Sequence, residues 1–255
     1  MTSAGIIEVQ NSDGVNVIRM ARAEKKNALS AAMYTGLCEA FESGERDEAT
    51  RVHVLLGTEG AFSAGNDIGD FLAHGGGSLE VGLQPVVRFV RLLAMLKKPV
   101  VAGVDGLAVG IGTTVLFHCD LVYASSRSVF STPFVDLGLV PEAGSSLLAP
   151  QRLGYARAFE LLVLGEPFSA ERMERAGLVN AVVEERAVEA TAVAAARRLA
   201  AKPGRALAMS RSLVRGDVAV LGERIEAELR VFKERLGSPE AQAAFNAFLI
   251  RRATN

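Results

Sequence analysis

A single carboxylate, Glu142, follows Val140-Pro141 and precedes Ala143-Gly144-Ser145-Ser146, where a helix can begin. An acid there is either a solvated first-turn residue favoured by the helix dipole or, if held in an apolar pocket, a general base. Two glycine-punctuated segments lie upstream, Ala61-Phe62-Ser63-Ala64-Gly65-Asn66-Asp67 and Asp105-Gly106-Leu107-Ala108-Val109-Gly110-Ile111-Gly112. A strand that turns into a helix leaves N–H groups without carbonyl partners, and these carry partial positive charge. Two such groups aimed at one carbonyl oxygen would stabilise an enolate, each by about 3–4 kcal/mol in the transition state. Taken singly, each glycine turn reads as a tight connection. Their combination with one carboxylate points to proton abstraction next to a carbonyl.

Other chemistries fit less well. Gly106 to Gly112 resembles a dinucleotide-binding turn, but it lies in mid-chain. The Tyr-x-x-x-Lys pair of short-chain dehydrogenases is missing, since Tyr34, Tyr123 and Tyr155 are followed four residues on by Cys38, Arg127 and Phe159. No Gly-x-Ser-x-Gly elbow and no phosphate-loop lysine motif occurs. His53, His74 and His118 have no Cys or His at metal-ligand spacing, so no metal is expected. Asp67 suits a turn, and Asp136 is a second carboxylate near Glu142 with no assigned role.

The elements that must position these residues follow from periodicity. Strands are predicted at Ile6–Gln10 and Val15–Met20, joined at Asn11-Ser12-Asp13-Gly14, and at Val52–Leu56, Val100–Val104, Leu121–Ala124 and Val129–Ser131. Ser30 can cap a helix that buries Met33, Leu37 and Phe41. A second helix spans Pro85–Lys97, and a third begins near Gly110. This alternation predicts an α/β core with parallel strands. From Ala143 onward the pattern is helical, at Leu153–Leu164, Ala170–Ala176, Ala187–Ala200, Arg205–Arg215 and Ile225–Leu236. Gly75-Gly76-Gly77-Ser78 reads as a flexible loop near the site.

The three site segments, in this order, resemble those of the enoyl-CoA hydratase/isomerase (crotonase) superfamily. The resemblance runs from about Gly14 to the C-terminal helices. It implies a crotonase-like spiral of ββα units over residues 1–200 and a helical C-terminal region, 201–255, that trimerises, with two trimers pairing into a hexamer as an option. Glu24-Lys25-Lys26-Asn27-Ala28-Leu29-Ser30 resembles the family's coenzyme A nucleotide motif, which assigns Lys25 and Ala28 to binding. Phe62-Ser63-Ala64-Gly65-Asn66-Asp67-Ile68 resembles the first oxyanion segment. On that match the Ala64 N–H is one donor, and Ala64, Gly65, Asn66, Asp67 and Ile68 hold adenine and pantetheine. Ala108-Val109-Gly110-Ile111-Gly112 resembles the second segment, with the Ile111 N–H as the other donor. The two glutamates of the family's hydratases fall on Thr114 and Phe134, which can neither hold nor activate water. Glu142 falls where the Δ3,Δ2-enoyl-CoA isomerase branch keeps its base, and a related position holds the nucleophile of the family's dehalogenases. The implied activity is therefore conversion of a 3-enoyl-CoA to a 2-trans-enoyl-CoA with one glutamate base, a step of fatty-acid metabolism. Coenzyme A is part of the substrate, and no separate cofactor is implied. Hydration, thioester hydrolysis and coenzyme A ester binding without turnover are the competing expectations.

Composition is consistent with this. The chain has 255 residues, 49% hydrophobic, enough for a sizeable core. A net charge of −1 argues against nucleic-acid and polybasic membrane partners. Cys38 and Cys119 are too few for a disulfide framework. No signal-peptide pattern, membrane-spanning run or Ser-Lys-Leu address is read, so a cytoplasmic location is expected.

Overall fold

The computed structural model describes residues 6–67, 69 and 83–253. Two strands open the chain, β1 (Ile7–Ser12) and β2 (Val15–Met20), paired antiparallel about Asp13-Gly14. Helix α1 (Ala31–Arg46) starts at Ser30, whose Oγ accepts the Met33 N–H at 3.4 Å, as its capping side chain predicts. Met33, Leu37 and Phe41 are buried.

The repeating unit is a long strand, a short strand and a helix. It runs first as β3 (Val52–Leu56), β4 (Ala61–Ser63) and α2 (Gln84–Met95). It continues as β5 (Val100–Val104), β6 (Leu107–Val109) and α3 (Ile111–Thr114), the last extended by a 3-10 turn, Val115–His118. The next is β7 (Leu121–Ser125), β8 (Val129–Ser131) and α4 (Ser145–Leu153). Then follow α5 (Tyr155–Leu162), β9 (Phe168–Ser169), α6 (Ala170–Ala176), β10 (Ala181–Val183), α7 (Val188–Ala200), α8 (Gly204–Arg215), α9 (Val218–Leu236) and α10 (Pro239–Ala253).

The long strands and the short β10 form one sheet, in the order β1-β2-β3-β5-β7-β10, parallel from β2 onward. Its middle strands are buried on both faces, as their unbroken Val/Leu/Ala runs require. Ala192, Ala195 and Ala196 of α7 cover one face; Leu37, Phe41, Phe89, Val90 and Leu93 of α1 and α2 help cover the other. The short strands form a second sheet, β4-β6-β8-β9, parallel except for β8–β9. This is the ββα spiral of the crotonase fold.

Two differences from the sequence reading have plain causes. The helix predicted at Leu153–Leu164 is Tyr155–Leu162, and Gly154, at φ +79°, separates it from a further helix, Ser145–Leu153, that periodicity did not delimit. The strands β4, β6, β9 and β10 are two or three residues long, too short for a two-residue period to register. The Gly75–Ser78 segment lies outside the described residues. Among the described residues no helix is long and apolar enough to cross a membrane.

Candidate active site

Strands β4 and β6 are parallel neighbours, so the turns leaving them sit side by side. Glycine sets how close they come. A Cβ on Gly65, at φ +84°, would lie 2.8 Å from the Val109 carbonyl oxygen, and one on Gly112 would lie 2.8 Å from that of Ser63. No side chain fits at either position.

Within the first turn, the donors are divided differently from the sequence expectation. The Ala64 N–H donates to the Lys26 carbonyl at 2.9 Å, so it is committed and cannot serve as a free donor. The Gly65 N–H donates to Ser63 Oγ at 3.2 Å. The Asn66 N–H has no hydrogen-bond partner among the described residues, and the donor position moves to it. The reason is the strap Lys26-Asn27: Asn27 donates through Nδ2 to the Ala61 carbonyl at 2.8 Å, and its own carbonyl accepts from Ser63 Oγ at 2.9 Å. In the second turn the Gly110 N–H donates to the Ser131 carbonyl at 2.8 Å. Ile111 is the first residue of α3, so its N–H has no intrahelical acceptor.

Glu142 is 4% exposed. One oxygen accepts from Thr114 Oγ at 2.5 Å, which joins it to the helix behind the Ile111 donor. Burial pushes its carboxyl up to about 8; the Thr114 hydroxyl pulls the other way, and the charge of Glu228 adds to the rise. Phe134 is buried, with its ring edge 4.0 Å from where a Cβ on Gly110 would stand. Thr114 and Phe134 thus give this site a hydroxyl bound to Glu142 and an apolar wall.

The turn that presents Glu142 is built with effort. Ala143 has φ +56°, a conformation that L-residues other than Asn or Asp rarely adopt. Its carbonyl accepts from His118 Nε2 at 2.6 Å, and burial lowers that imidazole to about 3, so the ring is neutral. Glu228, from α9, accepts from the Gly144 N–H at 2.6 Å, the Ser146 N–H at 2.9 Å and Ser146 Oγ at 2.5 Å.

The remaining residues divide by place. Asp67 accepts from Arg22 at 2.9 Å and closes its own turn by accepting from the Gly69 N–H at 3.1 Å. Lys25 is exposed in a 3-10 turn, Ala23–Lys25, while Ala28 is buried with its carbonyl taken by Arg22 Nη1 at 2.9 Å. Ile68 lies outside the described residues. Asp136 is exposed beside Gly165 and makes no contact with Glu142. Tyr34 was not picked out by spacing. It is buried, its hydroxyl donates to Asn66 Oδ1, and burial first and the Glu142 charge second raise its pKa well above the usual phenol value. Cys38 and Cys119 are buried free thiols, pushed up by burial to about 11 and about 12 and so unreactive. Among the described residues no cluster of His, Cys, Asp or Glu could hold a metal. A cavity of about 790 Å3 between α8 and the core, lined by Arg152, Arg211 and Arg215, lies apart from the donors and Glu142.

Residues 10–255 match the protein family described as enoyl-CoA hydratase/isomerase. The chain is 34% identical to enoyl-CoA delta isomerase 2 of Rattus norvegicus, over 98% of its own length and 64% of the rat protein. It is 32% identical to 1,2-epoxyphenylacetyl-CoA isomerase of Escherichia coli (strain K12), over 94% of each chain. The solved structure of Pseudomonas aeruginosa OdaA superposes with a TM-score of 0.91 at 43% identity, covering 96% of this chain and 99% of that one. The chain thus spans just under two thirds of the rat relative and nearly all of the other two.

Proposed function

From the premise that this chain belongs to the enoyl-CoA hydratase/isomerase family, we propose that it is an acyl-CoA isomerase that moves a 3-enoyl-CoA double bond to the 2-trans position. The observation that carries this reading is the buried carboxylate of Glu142, paired with a hydroxyl where hydration would need a second acid. The thioester oxygen accepts from the Asn66 and Ile111 N–H groups, which acidifies C2. A Glu142 oxygen takes a C2 proton, the electron pair delocalises over C4–C3–C2–C1–O as a dienolate, and the same carboxyl returns a proton to C4. The C3–C4 double bond is consumed and a C2–C3 double bond forms, with no net change in atoms or charge. Burial favours the uncharged acid, so Glu142 is poised to hold the proton between the two transfers. Phe134 excludes water, which suppresses hydration.

Coenzyme A would lie along Lys25, Ala28 and the Gly65–Ile68 segment, with the Lys25 ammonium at the phosphates. A cytoplasmic location completes the reading. Assembly into a homotrimer, or a hexamer of two trimers, is supported by α8, where Leu213 is 84% exposed beside the exposed Met209. The test is turnover of 3-hexenoyl-CoA beside crotonyl-CoA. Formation of 2-hexenoyl-CoA without hydration of crotonyl-CoA is expected. Hydration alone overturns the isomerase reading, and binding without turnover of either makes the chain a coenzyme A ester binder.

A further inference from the structure

The turn that carries the base is closed locally by one bond, from the Ser145 N–H to the Glu142 carbonyl at 3.1 Å, and is held further by a group from a helix more than eighty positions later in the chain. Glu228 stands on α9, the second helix of the C-terminal region. Its two oxygens accept from the Gly144 N–H (2.6 Å), the Ser146 N–H (2.9 Å) and Ser146 Oγ (2.5 Å). Gly144 and Ser146 open helix α4, where the backbone N–H groups have no intrahelical acceptor. Glu228 is buried; burial raises its carboxyl above the usual carboxylate range, and these donors pull the other way. It also fixes the direction of the chain two residues after Glu142, on the far side of the left-handed Ala143 whose carbonyl His118 holds. The turn is thus gripped at two points by groups that touch no substrate.

Resting on the isomerase reading, we propose that Glu228 is the positioning residue for the catalytic base: it clamps the Ala143–Ser146 turn so that the Glu142 carboxyl meets Thr114 and faces the two N–H donors. The C-terminal region thereby takes part in catalysis through the placement of the base. The charged and titratable groups facing this turn are Glu142 and Tyr34 from the site side, neutral His118, and Glu228 with Arg224 from α9, whose Nη1 lies 3.4 Å from Ser146 Oγ. Removing the Glu228 charge removes a like charge from the neighbourhood of Glu142. That lowers the proton affinity of Glu142 through charge alone, so the placement of the base is read from kcat against KM.

The experiment uses the full chain with Glu228→Gln and Glu228→Ala. Two readouts are taken: kcat and KM for 3-hexenoyl-CoA across the pH range, and the Glu142 carboxyl titration by infrared difference against Glu142→Gln, which needs no substrate. For folded Glu228→Ala, kcat falls by about 10- to 100-fold while KM changes little, since a misplaced base loses rate and keeps binding. Glu228→Gln keeps an acceptor oxygen, recovers part of that rate, and shifts the Glu142 titration to lower pH. Wild-type kcat in Glu228→Ala overturns the proposal. If Glu228→Ala does not fold, an unshifted Glu142 titration with unchanged kcat in Glu228→Gln overturns it. Wild type that fails to turn over 3-hexenoyl-CoA refutes the isomerase reading instead, and the Glu142 carbonyl band in the infrared then decides the clamp: a shifted band in Glu228→Ala, from loss of the bond to Thr114, supports it, and an unshifted band overturns it.

Discussion

Replacing Thr114 with valine removes the one hydrogen bond among the described residues that lowers the Glu142 proton affinity, while keeping nearly the same shape. A hydrogen bond to a charged acceptor contributes about 1.5–3 kcal/mol, and about 1.4 kcal/mol corresponds to one pKa unit. The hydroxyl can also accept from the protonated acid, which trims the difference toward the lower end. The Glu142 midpoint, about 8 in the intact site, should therefore rise by about one unit in Thr114→Val. The base acts as the carboxylate, so below its midpoint each unit of rise costs about tenfold in rate. The assay is kcat/KM for 3-hexenoyl-CoA as a function of pH. The basic limb of Thr114→Val should approach wild type, while the rate near neutrality falls by about tenfold. Thr114→Ser, which keeps the hydroxyl, should track wild type. A Thr114→Val profile that superimposes on wild type would refute the coupling of this hydroxyl to the base.

The same burial makes a stability prediction. The Glu142 carboxyl is raised from 4.5 to about 8, so the native state binds its proton more tightly than the unfolded chain, and the stability it contributes below pH 4.5 is lost as pH rises to 8. Glu142→Gln should gain melting temperature over wild type at pH 9 and show little gain at pH 4.5, read by thermal denaturation at both. Gly65→Ala places a Cβ 2.8 Å from the Val109 carbonyl oxygen at φ +84°. It should part the two donors and lower kcat by about 100-fold, read by steady-state kinetics on the folded variant. Leu213→Glu puts a charge on the uncovered face of α8, and size-exclusion chromatography with light scattering should show monomers in place of the wild-type assembly.

Much of the scaffold was legible because its signals are local. Val52–Leu56 and Val100–Val104 are apolar at nearly every position, and only a strand buried on both faces sustains that at such length. Ser30 announces α1 through a hydroxyl that caps it. The two turns assigned to the proposed donors were picked out by their glycines, yet the choice between Ala64 and Asn66 was not readable. Which N–H stays free depends on the Lys26-Asn27 strap laid across the turn, a contact between segments nearly forty residues apart. Glu228 was invisible for a similar reason. Within α9 it is one acid among several on a helix rich in charge, and only the folded chain brings it to Gly144 and Ser146. Tyr34 looked like one more buried aromatic of α1 until its hydroxyl met Asn66.

The central claim is that one carboxylate carries both proton transfers. Its most direct test is isomerisation of 3-hexenoyl-CoA by Glu142→Gln, with folding and coenzyme A ester binding measured on the same preparation. The account predicts intact fold and binding with kcat reduced by at least about 100-fold, the scale on which a positioned acid–base group acts. Near-wild-type isomerisation by that variant would contradict it.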